Sequence, residues 1–323
     1  MYIPSSDEEA LEIYRKLTLI RQAQEAIVRE YPKDEIKTPV HLGIGLEGIS
    51  VGVAHNLPPN TRSFGQLRNH GQYLAVTDEM DDYFGELYGR VTGTGGGKAG
   101  SMHLSHPEKG LISNSGIVAA TISLAVGSGL AAKYTGTDQL TVCMFGDGAV
   151  DEGEFWESLN FACLHRLKVL FVCEDNDLAI YTDSSQRRGY EAIVNPVSGY
   201  NCHVLEGDGT DVLETIYVVK QALDKMDQDP KPAFVCLSWE RIIDHVGILM
   251  DAEVGWREPP TSEHILSVDA VHKYKQYLHS RDIDLDVIEK IIEDNESRIQ
   301  ASILKAKAAP FPGEEHLYQG LFA

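Results

Sequence analysis

Leu140-Thr141-Val142-Cys143-Met144-Phe145-Gly146-Asp147-Gly148, followed by Leu167-Lys168-Val169-Leu170-Phe171-Val172-Cys173-Glu174-Asp175-Asn176, decides the fold of this chain. Each half is an apolar run of strand length that ends in turn-forming residues, and Glu154 to Arg166 between them has helical character. Together they read as one βαβ crossover with parallel strands. Ligands of open parallel sheets gather at the carboxyl ends of strands, so the crossover delivers Asp147 and Asn176, 29 positions apart, to one edge. Two side-chain oxygens with nearby backbone suit a hard cation. Magnesium takes such ligands and fills its octahedron with waters or phosphate oxygens. Gly146 and Gly148 let the backbone turn tightly and approach a phosphate. In isolation Gly-Asp-Gly is an ordinary turn; its strand context and its spacing to Asn176 favour a site.

The same grammar extends along the chain. Cys202 to Glu206 and Pro232 to Leu237 read as further strands, with a helix from Asp211 to Met226 between them. Helices are expected from Asp7 to about Glu30, capped by Ser6, over Glu47 to Ala54, over Asp78 to Gly89 and from about Ser262 and Ile283. Gly116 to Tyr134 is small and apolar, which suits a helix packed closely on a sheet or a neighbouring subunit. Five of the ten residues from Val91 to Gly100 are glycine, so that stretch is a loop, and Arg68 to Leu74 reads as a connection. Thr182 to Gly189 is expected to be an exposed or ligand-gated loop, Trp239 to Pro260 is long and without periodicity, and long loops of that kind are commonly functional. The second Gly-Asp-Gly, at Gly207, reads as a turn and helix cap. The prediction is an α/β fold, a mostly parallel sheet flanked by helices, as one domain over 1–323 with helical N-terminal and C-terminal extensions. The tail after Pro312, with Leu317, Tyr318, Leu321 and Phe322, is expected to pack on the domain or on a partner.

Acidic residues number 49 against 28 basic ones, a formal charge of −21, which opposes binding to nucleic acid or to anionic membranes. No apolar run is long enough to span a bilayer and the N-terminus lacks a secretion signal, so a cytoplasmic protein is expected. Cys143, Cys163, Cys173, Cys202 and Cys236 are scattered, without CxxC spacing, and read as reduced core thiols rather than zinc ligands.

From about Ile13 onward the chain resembles the alpha subunit of the thiamine-diphosphate-dependent first component of 2-oxo acid and acetoin dehydrogenase complexes. The resemblance rests on Gly146-Asp147-Gly148-Ala149 through Cys173-Glu174-Asp175-Asn176, with His41 to Gly48, Arg68-Asn69-His70-Gly71, Gly95 to His103, Asn114 to Val118 and Arg241 to Gly247 in the same order. It implies the thiamine-diphosphate-binding fold, thiamine diphosphate and Mg2+ as cofactors, and metal ligation by Asp147, Asn176 and the Leu178 carbonyl. Gly146, Gly148, Ala149, Arg68 and Arg241 would then serve the diphosphate, and Gly116, Ile117 and Val118 the aminopyrimidine ring. His245 is implied over the cofactor and His41 as a second active-site histidine; His70 and His103 rank below them, and Glu47 reads as structural.

The chain departs from the family pattern at Leu67, where many relatives have a tyrosine, at Asp175 in place of an asparagine, at Ile243 in place of a histidine, and at Val246 in place of a serine phosphorylated in mitochondrial relatives. The resemblance further implies a separate beta subunit supplying the catalytic glutamate, in an α2β2 heterotetramer, a small 2-oxo acid or acetoin as substrate, and a lipoyl acyltransferase as acceptor. Transketolase-like ketol transfer by a two-chain enzyme is a close variant. A dinucleotide-binding oxidoreductase is disfavoured because Gly93, Gly95 and Gly97 follow no strand-like run, and a non-catalytic scaffold that kept the fold is the alternative from another class.

Overall fold

The computed structural model describes residues 2–319. Its centre is a six-stranded sheet built from β1 (Arg62–Gly65), β2 (Leu111–Asn114), β3 (Thr141–Gly146), β4 (Val169–Asp175), β7 (His203–Asp208) and β8 (Ala233–Ser238) in the order β2-β1-β3-β4-β8-β7. Every neighbouring pair is parallel. A two-stranded antiparallel hairpin, β5 (Leu178–Ala179) and β6 (Thr182–Asp183), follows β4. The parallel sheet flanked by helices expected from the sequence is therefore present. The pair that decided it lies at the middle of the sheet, where Phe145 faces Cys173 and Gly146 faces Glu174, so that Asp147 and Asn176 leave the same edge on adjacent strands.

Successive side chains of these strands enter two different cores, as strand geometry requires. Val142 and Met144 pack with Ile49, Val53 and Val219 on one face, whereas Cys143 and Phe145 pack with Ile122, Ala125, Phe155 and Leu159 on the other. Burial on both faces is why the strands read as continuous apolar runs. A third core surrounds the helix Asp7–Glu30, whose Tyr14, Leu17 and Ile20 meet Tyr274, Ile299 and Ile303 of later helices. Ser6 caps that helix by accepting from the Glu9 amide at 3.2 Å.

The helix Glu47–His55 packs on Val212–Gln228 and on the turn before it, where Gly48 leaves no room for a side chain. A Cβ on Gly48 would sit 2.4 Å from the carbonyl oxygen of Gly209, a backbone atom that cannot rotate away. Gly48→Ala is therefore expected to destabilise the chain by roughly 2–3 kcal/mol through overpacking, read as a lowered thermal midpoint; an unchanged midpoint would refute the close packing.

Several elements differ from the sequence expectation. Strands β1 and β2 were not anticipated, because four residues carry too little periodicity to read. The connection through Arg68 to Leu74 contains a helix, His70–Thr77, and the next helix is Met80–Leu87 rather than the longer span from Asp78. The small-residue helix begins at Ala120, which leaves Gly116 to Ala119 outside it, with Ala119 in the left-handed region at φ 64°. The segment 239–260 holds a short helix, Asp251–Val254, and a bridge between Ile243 and Met250.

The glycine-rich stretch 91–100 is irregular, as expected, and the sequence did not reveal what organises it. The buried Glu86 carboxylate accepts four backbone amides: Gly95 at 2.7 Å and Gly97 at 3.0 Å on one oxygen, Ala99 at 2.7 Å and Gly100 at 2.8 Å on the other. The C-terminal segment covers this loop, since the Val91 amide donates to the Pro310 carbonyl and the Arg90 guanidinium lies 3.7 Å from the Phe311 ring centre. Leu317 and Tyr318 are exposed, and Leu321 and Phe322 lie outside the described residues. All five cysteines are free thiols. No helix among the described residues is long and apolar enough to cross a membrane.

Candidate functional site

At the carboxyl edge of β3 and β4 the backbone turns to make a cavity of about 340 Å³. Gly146, Asp147, Gly148 and Ala149 line it from β3, Asn176 and Leu178 from β4 and the hairpin, with Ile117, Val118, Arg68, Arg241 and His245 also on its wall. Gly116 and His41 are not on the wall. His41 stands behind it, its ring edge-on to His245 at 5.2 Å between centres. A Cβ on Gly116 would meet the Met102 sulfur at 3.2 Å, so the residue holds the turn close to the segment 101–103.

Asp147 is 1% exposed. Its Oδ2 accepts from Arg187 Nη2 at 2.6 Å and from Arg188 Nη2 at 2.7 Å. Burial and the neighbouring Asp175 carboxylate push its pKa up, to about 6, against the pull of the two guanidiniums. Asn176 Oδ1 accepts from the Leu178 amide at 3.0 Å, an Asx turn that folds Leu178 back beneath it. A Cβ on Gly148 would lie 3.3 Å from the Ala179 Cβ, so glycine lets this turn and the hairpin meet. One carboxylate, one amide oxygen and closely packed backbone at a strand edge fit magnesium and a diphosphate in donor chemistry. Both guanidiniums engage Asp147 through Oδ2.

Both expected arginines are buried and already hydrogen-bonded. Arg68 donates to the carbonyls of Leu42 and, at 3.1 Å, His245. Burial and the nearby Arg241 charge pull its pKa down, to about 10. Arg241 grips Asp251 with Nε and Nη2 at 3.0 Å each and gives Nη1 to the Ile180 carbonyl at 2.7 Å. His70 is fully buried between Tyr83 Oη at 2.7 Å and Ser101 Oγ at 2.8 Å and belongs to the core. His103 contacts the Asn114 carbonyl oxygen through Nδ1 at 3.1 Å, tying backbone together. Glu47 receives Arg21 and the Gly45 amide at 2.8 Å, a structural role as expected.

Sequence reasoning missed four participants. Glu174 lies buried on the cavity wall with Gln66 donating to it, and burial pushes its pKa up, to about 7, while Gln66 and Arg68 pull it back. Trp239 also lines the cavity. Arg187 and Arg188 fall in the segment expected to be an exposed or ligand-gated loop, and they turn inward onto Asp147; the adjacent pair of arginines in an acidic chain was the available signal.

The histidines give a pH dependence. Burial, with Arg68 and His245 nearby, lowers His41 to about 3, and burial, with Arg68 and Arg241, lowers His245 to about 4. Burial likewise takes His70 to about 3. Their folded pKa values lie below the ordinary 6.5, so the unfolded chain binds more protons as pH falls. The stability they contribute is complete above pH 6.5 and is lost as the pH drops toward 4. The thermal midpoint is expected to fall by several degrees over that window, and by less in His41→Gln; a flat profile would contradict the burial of neutral imidazoles.

A family model described as dehydrogenase E1 component matches residues 15–315. The alpha subunit of acetoin:2,6-dichlorophenolindophenol oxidoreductase from Bacillus subtilis is 29% identical over 318 residues, covering 98% of this chain and 94% of that protein. The pyruvate dehydrogenase E1 component subunit alpha from Zymomonas mobilis subsp. mobilis is 30% identical over 315 residues, covering 97% and 88%. Its counterpart from Rhizobium meliloti is 34% identical over 220 residues, covering 68% and 62%.

Proposed function

The chain belongs to the dehydrogenase E1 component family, and from that footing we propose that it is the alpha subunit of a thiamine-diphosphate-dependent dehydrogenase acting on a small 2-oxo acid or acetoin. The observation that carries the proposal is the exit of Asp147 and Asn176 from adjacent strands into one cavity beside Gly148. In this reading Asp147, Asn176 and the Leu178 carbonyl hold Mg2+, and the metal anchors the diphosphate against the turn Gly146 to Ala149. Thiamine diphosphate supplies an electron sink for the carbon–carbon bond that breaks.

The chain's own groups then have definite tasks. Arg68 and Arg241, with hydrogen bonds committed to protein acceptors, contribute fixed positive charge toward the diphosphate instead of a free fork. Ile117 and Val118 offer an apolar edge to the ring system. His245 and His41, held neutral, can each position substrate through hydrogen bonds near neutral pH, and Arg68 fixes the backbone of His245. Glu174 serves as the buried counter-charge of Arg68.

We assign the remaining half of the site to a beta subunit in an α2β2 assembly. Ile117 is 72% exposed and Val118 48%, so the cavity opens onto an apolar rim that a second chain would cover. A lipoyl acyltransferase is the proposed acceptor of the acyl group, and the cytoplasm the proposed compartment. Assaying pyruvate, branched 2-oxo acids and acetoin with the chain alone and with its co-expressed beta subunit tests the proposal. Turnover is expected only from the pair, and full turnover by the single chain would overturn it.

A further inference from the structure

We propose that Arg187 and Arg188 serve as the counter-ions of Asp147 in the metal-free chain, so that Mg2+ binds this carboxylate in competition with a guanidinium. This inference rests on the cofactor reading of the cavity given above. The two guanidiniums sit 2.6 and 2.7 Å from the same oxygen, Asp147 Oδ2, and so occupy that oxygen's lone pairs and offset the charge that would attract a cation to the carboxylate. They are no surface adornment, because the side chain of Arg187 is 10% exposed and that of Arg188 is 4% exposed. Charge-assisted bonds of this kind, shielded from water, are among the stronger ones a protein makes.

Each arginine has a second anchor. Arg187 also binds Asp151 and donates Nε to the Thr182 carbonyl at 3.1 Å. Arg188 also reaches Asp175 Oδ1 at 3.2 Å and Asp177 Oδ1 at 3.6 Å. Asp175 is the residue that stands where the family pattern has asparagine, and Arg188 is the counter-charge that makes a second acid beside Asp147 tolerable in this chain. Metal entry adds a divalent charge while shifting one guanidinium off Asp147, and the acids Asp151, Asp175 and Asp177 around the two arginines offset that charge. Both arginines follow the hairpin β5–β6 that carries Leu178, after one 3-10 turn over Ser184–Gln186. Metal entry therefore pulls on the same segment that supplies a proposed metal ligand. The anchors at Asp151 and Asp175 keep the displaced arginines close enough to return when the metal leaves.

Binding of Mn2+ to the full chain, followed by electron paramagnetic resonance with and without thiamine diphosphate, reads the competition directly. Arg187→Gln is expected to tighten Mn2+ binding about tenfold, the worth of one such bond. Asp151→Asn, which loosens Arg187 without touching Asp147, should shift affinity in the same direction by a smaller factor. Thermal melts of both variants establish that they are folded. Unchanged or weakened Mn2+ affinity in both variants overturns the competition. If the wild type binds Mn2+ and Asp147→Asn does not, the cofactor reading survives that outcome; if wild type and Asp147→Asn behave alike, the cofactor reading itself fails.

Discussion

Asp147→Asn is expected to weaken Mg2+-dependent binding of thiamine diphosphate by at least about a hundredfold, since it removes the charged ligand of a hard cation while keeping the side chain's shape. Asp147 is the only carboxylate of the proposed ligand set, with Asn176 and the Leu178 carbonyl being neutral. Neutral oxygens alone compete poorly with water for magnesium. The substitution should leave the fold intact, because Asn still accepts from Arg187 or Arg188 and those arginines keep Asp151 and Asp175. Calorimetric titration of the cofactor in the presence of Mg2+, repeated with chelator, measures the effect. Equal affinity in wild type and variant, with equal sensitivity to chelator, would remove Asp147 from the metal site.

Glu86→Ala should have the largest effect on stability, a loss of at least about 4 kcal/mol, because four backbone amides lose their acceptor together and unsatisfied buried donors cost roughly 1–3 kcal/mol each. Those amides belong to Gly95, Gly97, Ala99 and Gly100, which have little else to hold their conformation. Glu86→Gln is the more telling variant. Its amide oxygen can accept two of the four donors, but its NH2 group faces the other two, donor against donor. Chemical denaturation should place Gln between wild type and Ala. The loop leads into the segment 101–103, which packs on Gly116, so both variants should also loosen the cofactor's proposed ring contacts. Full stability in Glu86→Ala would contradict the loop's dependence on this carboxylate.

The parallel sheet was legible in the sequence where strands are buried on both faces. Leu140 to Phe145 and Leu167 to Cys173 have no polar alternation to confuse and end in unmistakable turn residues, so their pairing and the shared edge of Asp147 and Asn176 followed. The short edge strands β1 and β2 were not legible, since four residues carry no period and their pairing is a long-range property. His70–Thr77 was hidden for a similar reason, because its residues are buried all round and show no amphipathic stripe. Glu86 could not be found from sequence, as nothing local marks an acid whose partners lie nine to fourteen positions away. The inward turn of Arg187 and Arg188 was obscured by the polar composition of their segment. Their meaning comes from the buried charge they meet, which lies on another strand.

On the function proposed above, Asp147 and Asn176 anchor the diphosphate half of a thiamine site and the beta subunit supplies the acid that completes it. Besides Asp147, Glu174 is a buried carboxylate on the cavity wall; Gln66 donates to it and the Arg68 charge pulls its pKa down against burial. Exchange of the thiazolium C2 proton of thiamine diphosphate, measured by quenched-flow NMR on the magnesium-loaded chain by itself, tests this most directly. The bound cofactor is expected to exchange at the rate of the free cofactor until the beta subunit is added. Accelerated exchange on the isolated chain would contradict it.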